Sequence, residues 1–133
     1  MLVTPARLVA AKLGFAAVLA LALAGAARAE DARTGTFTGD SGHATSGTVT
    51  VERDGDRTFV VLGEDFSLDG APAPTLGFAK GGEFDLATEF AALGALTGRQ
   101  VYEVPPDIDV SDHDTFVVWC TDFAVPLGHA TLN

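Results

Sequence analysis

The sequence predicts an all-β fold, a small antiparallel β-sandwich, preceded by an N-terminal signal-peptide helix. Three observations predict it. Apolar stretches beyond residue 30 are short, and several alternate with polar residues, the period of a half-buried strand. Turn-forming residues separate them, with 15 Gly and 6 Pro among 133 residues, so the chain reverses often. Residues 30–133 have the length of one small domain with one core.

Residues 1–29 read as a secretory signal peptide. Arg7 and Lys12 give a positive start, an uncharged apolar run follows from Leu13 to Ala27, and Ala27-Arg28-Ala29 fits the small-x-small pattern before a cleavage point. The run is shorter than the roughly 20 residues of a spanning helix, which favours cleavage over anchorage. The expected mature chain starts at Glu30, is exported to the periplasm or secreted, and forms a single domain over 30–133 with no membrane span.

Within that domain Glu30–Arg33 reads as a loose tail and Gly35–Gly39 as a short strand. Gly42–Val51 ends in a strand-like alternation. Arg53-Asp54-Gly55-Asp56 is hairpin-turn chemistry, and Thr58–Leu62 is the returning strand. Ser67–Pro74 reads as a loop, Thr75–Ala79 as a strand and Lys80-Gly81-Gly82 as a flexible turn. Phe84–Leu96 reads as strand and loop with a brief helical turn. Arg99–Val104 is a strand stopped by Pro105-Pro106, and Asp107–Asp114 an acidic connection. Thr115–Cys120 and Phe123–Val125 are the two most apolar strands, with Ala130–Leu132 closing the sheet. Trp119, in the most apolar strand, is expected in the core.

All 18 acidic residues follow residue 29, against the five basic residues Arg33, Arg53, Arg57, Lys80 and Arg99. That balance repels nucleic acid and anionic lipid and favours solubility, cations or a basic partner. Cys120, the only cysteine, has no partner for an internal disulfide. It is packed, reactive, bound to a metal or cofactor, or joined to another chain. Alternation places Phe116, Val118 and Cys120 on one strand face and Val117, Trp119 and Thr121 on the other, both apolar near Cys120. Burial and the nearby carboxylates of Asp114 and Asp122 both disfavour the anionic sulfur that attacks disulfides, so a bare thiol here should be a slow nucleophile.

Several segments, in order, resemble the DM-thirteen domain, a family described as an electron-transfer domain and related to the DOMON domains found beside b-type cytochromes. They are His43-x-x-Ser46-Gly47-Thr48-Val49, Asp65-Phe66, Leu93-Gly94-x-Leu96 and Gln100-x-Tyr102-x-Val104-Pro105. Val118-Trp119-Cys120 and Phe123-x-Val125-x-x-Gly128-x-Ala130-x-Leu132 complete the set. The resemblance spans about Phe37 to Leu132. It implies an extracytoplasmic β-sandwich in which Cys120 acts in redox chemistry, as a bare thiol or as ligand to a prosthetic group such as haem. An axial Met is missing, because the only Met is Met1, so a haem would need Cys120 or a His.

Cys120 with His43, His113 and His129 is the only soft-ligand set, and His43, His129 and Trp119 join Cys120 as the candidate cofactor-binding residues. Copper is less favoured than haem, because cupredoxin-type sites add a nearby Met. Asp107-x-Asp109-x-Ser111-Asp112-x-Asp114 lacks the Gly and Glu of an EF-hand and reads as turn chemistry. Tyr102 and Trp119 are read first as core aromatics with a polar tip, and second as an electron path. No Gly-x-Ser-x-Gly, His-Glu-x-x-His or phosphate loop is present, which argues against a hydrolase or transferase. The expectation is an exported redox or electron-transfer module centred on Cys120, working with a redox partner or another extracytoplasmic protein. The alternatives are a non-enzymatic ligand- or protein-binding sandwich in which Cys120 is structural, and a metal-binding domain using Cys120 with His43 or His129.

Overall fold

The computed structural model describes residues 32–133. The expected signal peptide and cleavage point lie outside the described residues.

The domain is all-β and antiparallel. One sheet has the order β1 (Arg33–Thr36), β4 (Thr48–Asp54), β5 (Arg57–Leu62), β10 (Gln100–Val104). The other has the order β2 (Thr38–Gly39), β12 (Val125–Thr131), β11 (Thr115–Cys120), β7 (Pro74–Lys80), β8 (Glu83–Asp85), with β9 (Ala91–Ala92) also pairing with β7. A small ribbon joins β3 (Thr45–Ser46) to β6 (Ser67–Leu68). Val49, Val51, Val60, Leu62 and Val104 of the first sheet meet Leu76, Phe78, Phe116, Val118, Cys120 and Leu127 of the second in one core. Phe116 and Phe78 pack edge to face at its centre, with ring centroids 5.5 Å apart. The sandwich is laced along one side, where Thr34 N–H donates to the Asn133 carbonyl and Asn133 N–H to the Thr34 carbonyl.

The Asp-Gly hairpin forms as expected, with Gly55 at φ 66° between β4 and β5. Phe84–Leu96 is strand and loop with a brief helical turn, as expected, and adds a second short strand: β8, a 3-10 turn at Leu86–Thr88, then β9. Thr88 explains why β7 tolerates that interruption. Its buried hydroxyl accepts from Phe78 N–H at 2.8 Å and lies 2.7 Å from the Asp85 carbonyl, filling the gap between two short partner strands.

Four readings are corrected. Arg33 is not tail but the first residue of β1, held by its guanidinium on the carbonyls of Val110 and His113. Gly35–Gly39 is not one strand: Phe37 turns into the core and splits it into β1 and β2, which belong to different sheets. Ser67–Pro74 contains β6, and Pro74 already pairs with Cys120. Phe123 is not in a strand. It lies in the turn after Cys120, and a single strand, β12, runs from Val125 to Thr131.

That strand passes through Pro126 and Gly128 because of a β-bulge. Val118 pairs with Gly128 and Trp119 with Pro126, so Leu127 is the extra residue. The bulge shifts the alternation, letting both Leu127 and Ala130 face the core. Pro126 sits beyond the end of β2, where its missing N–H breaks no ladder bond and Ser41 Oγ donates to its carbonyl instead.

Candidate functional site

Cys120 ends β11, the strand between β12 and β7, and the alternation of that strand turns its side chain inward with Phe116 and Val118. It is 1% exposed, and its thiol donates to the Pro72 carbonyl with sulfur and oxygen 3.2 Å apart. Two chain segments close this end. On one side is the loop Asp69–Ala73, on the other the turn Thr121–Ala124, joined where Thr121 N–H donates to the Ala73 carbonyl at 3.4 Å. Both pieces end in an alanine held in the left-handed region, Ala73 at φ 47° and Ala124 at φ 52°. Such backbone costs a residue with a Cβ about 1–2 kcal/mol. Sequence reading found Cys120 but not Pro72, Ala73 or Ala124, since an alanine carries no signal for positive φ.

Trp119, the next residue, points the other way. It is not in the core, contrary to expectation. It lies half-buried on the outer face of its sheet, stacked on Phe84 with ring centroids 4.2 Å apart and planes at 12°. Gly77 makes room for that stack, because a Cβ there would lie 2.7 Å from the Phe84 ring. The strand is apolar on both faces because β8 and its turn supply a second, smaller apolar layer outside the sheet.

The three histidines are dispersed, and each is bonded to an aspartate. His43 Nδ1 is 2.9 Å from Asp69 Oδ1, and the second oxygen of Asp69 accepts from Ala44 N–H, tying down the start of the cover loop. These bonds, the Ala44 amide first and His43 second, hold the Asp69 carboxyl below the usual range. His129 pairs with Val117 on the outer face and contacts Asp40 Oδ2 at 2.7 Å. His113 is the most buried of the three, at 8% exposure. Its Nε2 faces Asp85 Oδ2 at 3.0 Å and its Nδ1 the Asp109 carbonyl at 2.7 Å. Two acceptors require both nitrogens to carry protons, the imidazolium form. Burial lowers the His113 pKa, but the Asp85 hydrogen bond, the Asp109 carbonyl and the charges of Asp85 and Asp112 outweigh it, and the net result is raised.

The proposed cofactor set of Cys120, His43, His129 and Trp119 is therefore not brought together. Cys120 faces inward, while Trp119 and His129 lie on the outer face and His43 in the turn before β3. Among the described residues no three His, Cys, Asp or Glu side chains converge as a metal site. A haem iron or copper at Cys120 would need the sulfur lone pair open to a cavity, and here the sulfur is enclosed by core side chains and Pro72. The residues present do not fit such a group. The acidic run is turn chemistry, as read: Asp109 accepts from Ser111, Asp112 pairs with Lys80 at 2.8 Å, and Asp114 accepts from Gly81 N–H.

Much of the remaining pattern is structural. Asp65 Oδ1 accepts from both the amide and the hydroxyl of Thr48. Gln100 and Tyr102 pin the loop before β10 through Gly94 and Ala95. A family model described as "Electron transfer DM13" matches residues 36–132, nearly the whole described domain. No curated protein and no solved structure matches the chain.

Proposed function

The chain belongs to the electron-transfer DM13 family, and on that premise we propose that it is an exported redox module whose reacting atom is the sulfur of Cys120, used as a bare thiol. The observation that carries this reading is a thiol closed off by two short segments that each end in a strained alanine. The only sulfur nucleophile of the domain lies at the end of the sandwich, one hydrogen bond from a loop whose last residue is strained.

The step open to a single thiol is exchange. The cover parts, the thiol gives its proton to solvent, and the sulfur attacks one sulfur of a partner's disulfide. A mixed disulfide forms, the partner's disulfide bond breaks, and its second sulfur leaves as a thiolate that takes up a proton. Export to an oxidising compartment, supported by the Ala27-Arg28-Ala29 pattern, would supply such disulfides. Intact mass of the exported protein, starting at Glu30, checks that part.

The redox part is tested by equilibrating the folded protein with the glutathione couple and mapping the product by mass spectrometry. One reversible mixed disulfide at Cys120, with the fold retained, is expected, and none in Cys120→Ser. The second reading, a binding sandwich in which Cys120 is structural, is favoured by its near-complete burial within the core. It holds if no mixed disulfide forms until the protein unfolds.

A further inference from the structure

Between Leu68, which ends β6, and Pro74, which begins β7, the chain crosses over the sulfur of Cys120. Asp69 fixes the start of this crossing. Its carboxylate accepts from Ala44 N–H at 3.0 Å and faces His43 Nδ1 at 2.9 Å, and its own amide donates to the Ala44 carbonyl at 3.1 Å. Ala44 leads into β3, where the buried Thr45 hydroxyl donates to the Leu127 carbonyl of β12. Beyond Asp69 the hold is slight. Gly70, Ala71 and Pro72 make no backbone–backbone hydrogen bond among the described residues. The Pro72 carbonyl accepts from the Cys120 thiol, and the Ala73 carbonyl takes a 3.4 Å bond from Thr121 N–H. Left-handed backbone brackets Ala71 and Pro72, with Gly70 at φ 117° and Ala73 at φ 47°. Ala71 packs against the core, whereas Pro72 and Ala73 are exposed. The turn on the other side of the sulfur has less freedom. It joins Cys120 to Val125, which pair in the ladder, so moving it would part β11 from β12.

We infer that Asp69 gates the Cys120 site: clamped on Ala44 and His43, it keeps Gly70–Ala73 lowered as a flap over the sulfur, and the flap lifts about Gly70 and Ala73 while both sheets stay intact. The redox use of this gate rests on the reading of Cys120 given above. His43 then serves the site through Asp69 rather than as a ligand. Lifting breaks the thiol's bond to Pro72, the long Thr121–Ala73 bond and the packing of Ala71, but no ladder pair. Glycine at position 70 accommodates the change in φ, and strain at Ala73 favours leaving the closed form. The Pro72 carbonyl moves off the sulfur, and the thiol meets solvent and a partner's disulfide. Asp69 is a positioning residue, acting on access to the sulfur rather than on the sulfur itself.

Labelling of Cys120 by a small aromatic disulfide at zero denaturant tests the gate, with chemical denaturation of each variant measured alongside. Asp69→Ala should raise the rate about tenfold, the factor for one charge-assisted hydrogen bond lost from the closed form alone. Asp69→Asn keeps an acceptor for Ala44 N–H and should raise it about threefold, as should His43→Ala. Asp109→Ala removes the bonds to Ser111 at the far end and should leave the rate unchanged while lowering global stability. A merely structural Asp69 would instead raise the rate only as far as its loss lowers global stability, just as Asp109 would. Rates that follow global stability in both variants, or no rise in either Asp69 variant, would overturn the inference. Glutathione equilibration keeps the two claims apart. Faster labelling in Asp69→Ala without a mixed disulfide supports the gate and removes its redox use, whereas a mixed disulfide with unchanged labelling overturns the gate and leaves the thiol reading standing.

Discussion

The end of the sandwich that carries His113 and the end that carries Cys120 are closed by different forces. At the first, charged and polar groups interlock. Arg33 holds the carbonyls of Val110 and His113, His113 bridges Asp85 and Asp109, Lys80 pairs with Asp112, and Leu132 N–H donates to the Asp114 carbonyl. At the second, two short loops lie over a thiol. They are held there by the Asp69 side-chain bonds and its amide on the Ala44 carbonyl, a 3.4 Å contact from Thr121 N–H to Ala73, long contacts of the Thr121 hydroxyl with Thr75 and Glu89, and a weak S–H donor. The proposed thiol exchange would use this difference, because local openings start where contacts are few.

Breaking the stronger end should have the largest effect. Replacing His113 by Ala removes a buried ring with two hydrogen bonds and should cost about 3 kcal/mol in chemical denaturation, with faster amide exchange at 85–88 and 109–114. The same end should make stability depend on pH. Because the folded-state pKa of His113 is raised, its contribution is complete below the unfolded value near 6.5 and is lost as pH rises through the folded value. Asp85 and Asp109 are held low, Asp85 chiefly by the His113 hydrogen bond and Asp109 chiefly by Ser111, so their contributions disappear only in acid. Charges from every element around the ring, Asp85, Asp109, Asp112, Asp114, Lys80 and Arg33, enter that profile. Thermal unfolding across pH 5 to 9 should lose its slope in the His113→Ala protein.

Trp119→Ala gives a smaller effect at the other end. The residue is a brace on the outer face rather than part of the core, so its loss should cost about 2 kcal/mol, against about 3–5 kcal/mol for a core aromatic such as Phe116. Equal costs for the two variants would mean that the outer aromatic layer is a second core. The smallest change is Ala124→Gly. Glycine relieves the left-handed strain, so stability should rise by about 0.5 kcal/mol, with slower native-state labelling of Cys120.

The sequence revealed the fold class, the Asp-Gly hairpin, the burial of Cys120 and the side of β11 on which it lies, because those follow from period-two alternation and turn chemistry. Trp119 was misplaced for a physical reason: a strand apolar on both faces does not say which face meets the main core. Pro126 and Gly128 hid one continuous strand, since only the bulge at Leu127 reconciles them with a ladder. His113 looked like the least informative histidine, yet it is the most buried, because its partner Asp85 lies on a distant strand. Pro72 and the two alanines of the cover were invisible, since their part is played by backbone.

Cys120 decides between a redox thiol and a packed one. The measurement is its labelling rate by a small disulfide reagent, taken from zero denaturant up to the unfolding transition. The account predicts labelling far slower than that of a free thiol, with a rate nearly independent of denaturant at low concentration, because the cover opens while the sandwich stays folded. A rate that follows global unfolding over the whole range would contradict it and leave Cys120 a structural core residue. Labelling as fast as a free thiol would contradict the closed cover itself.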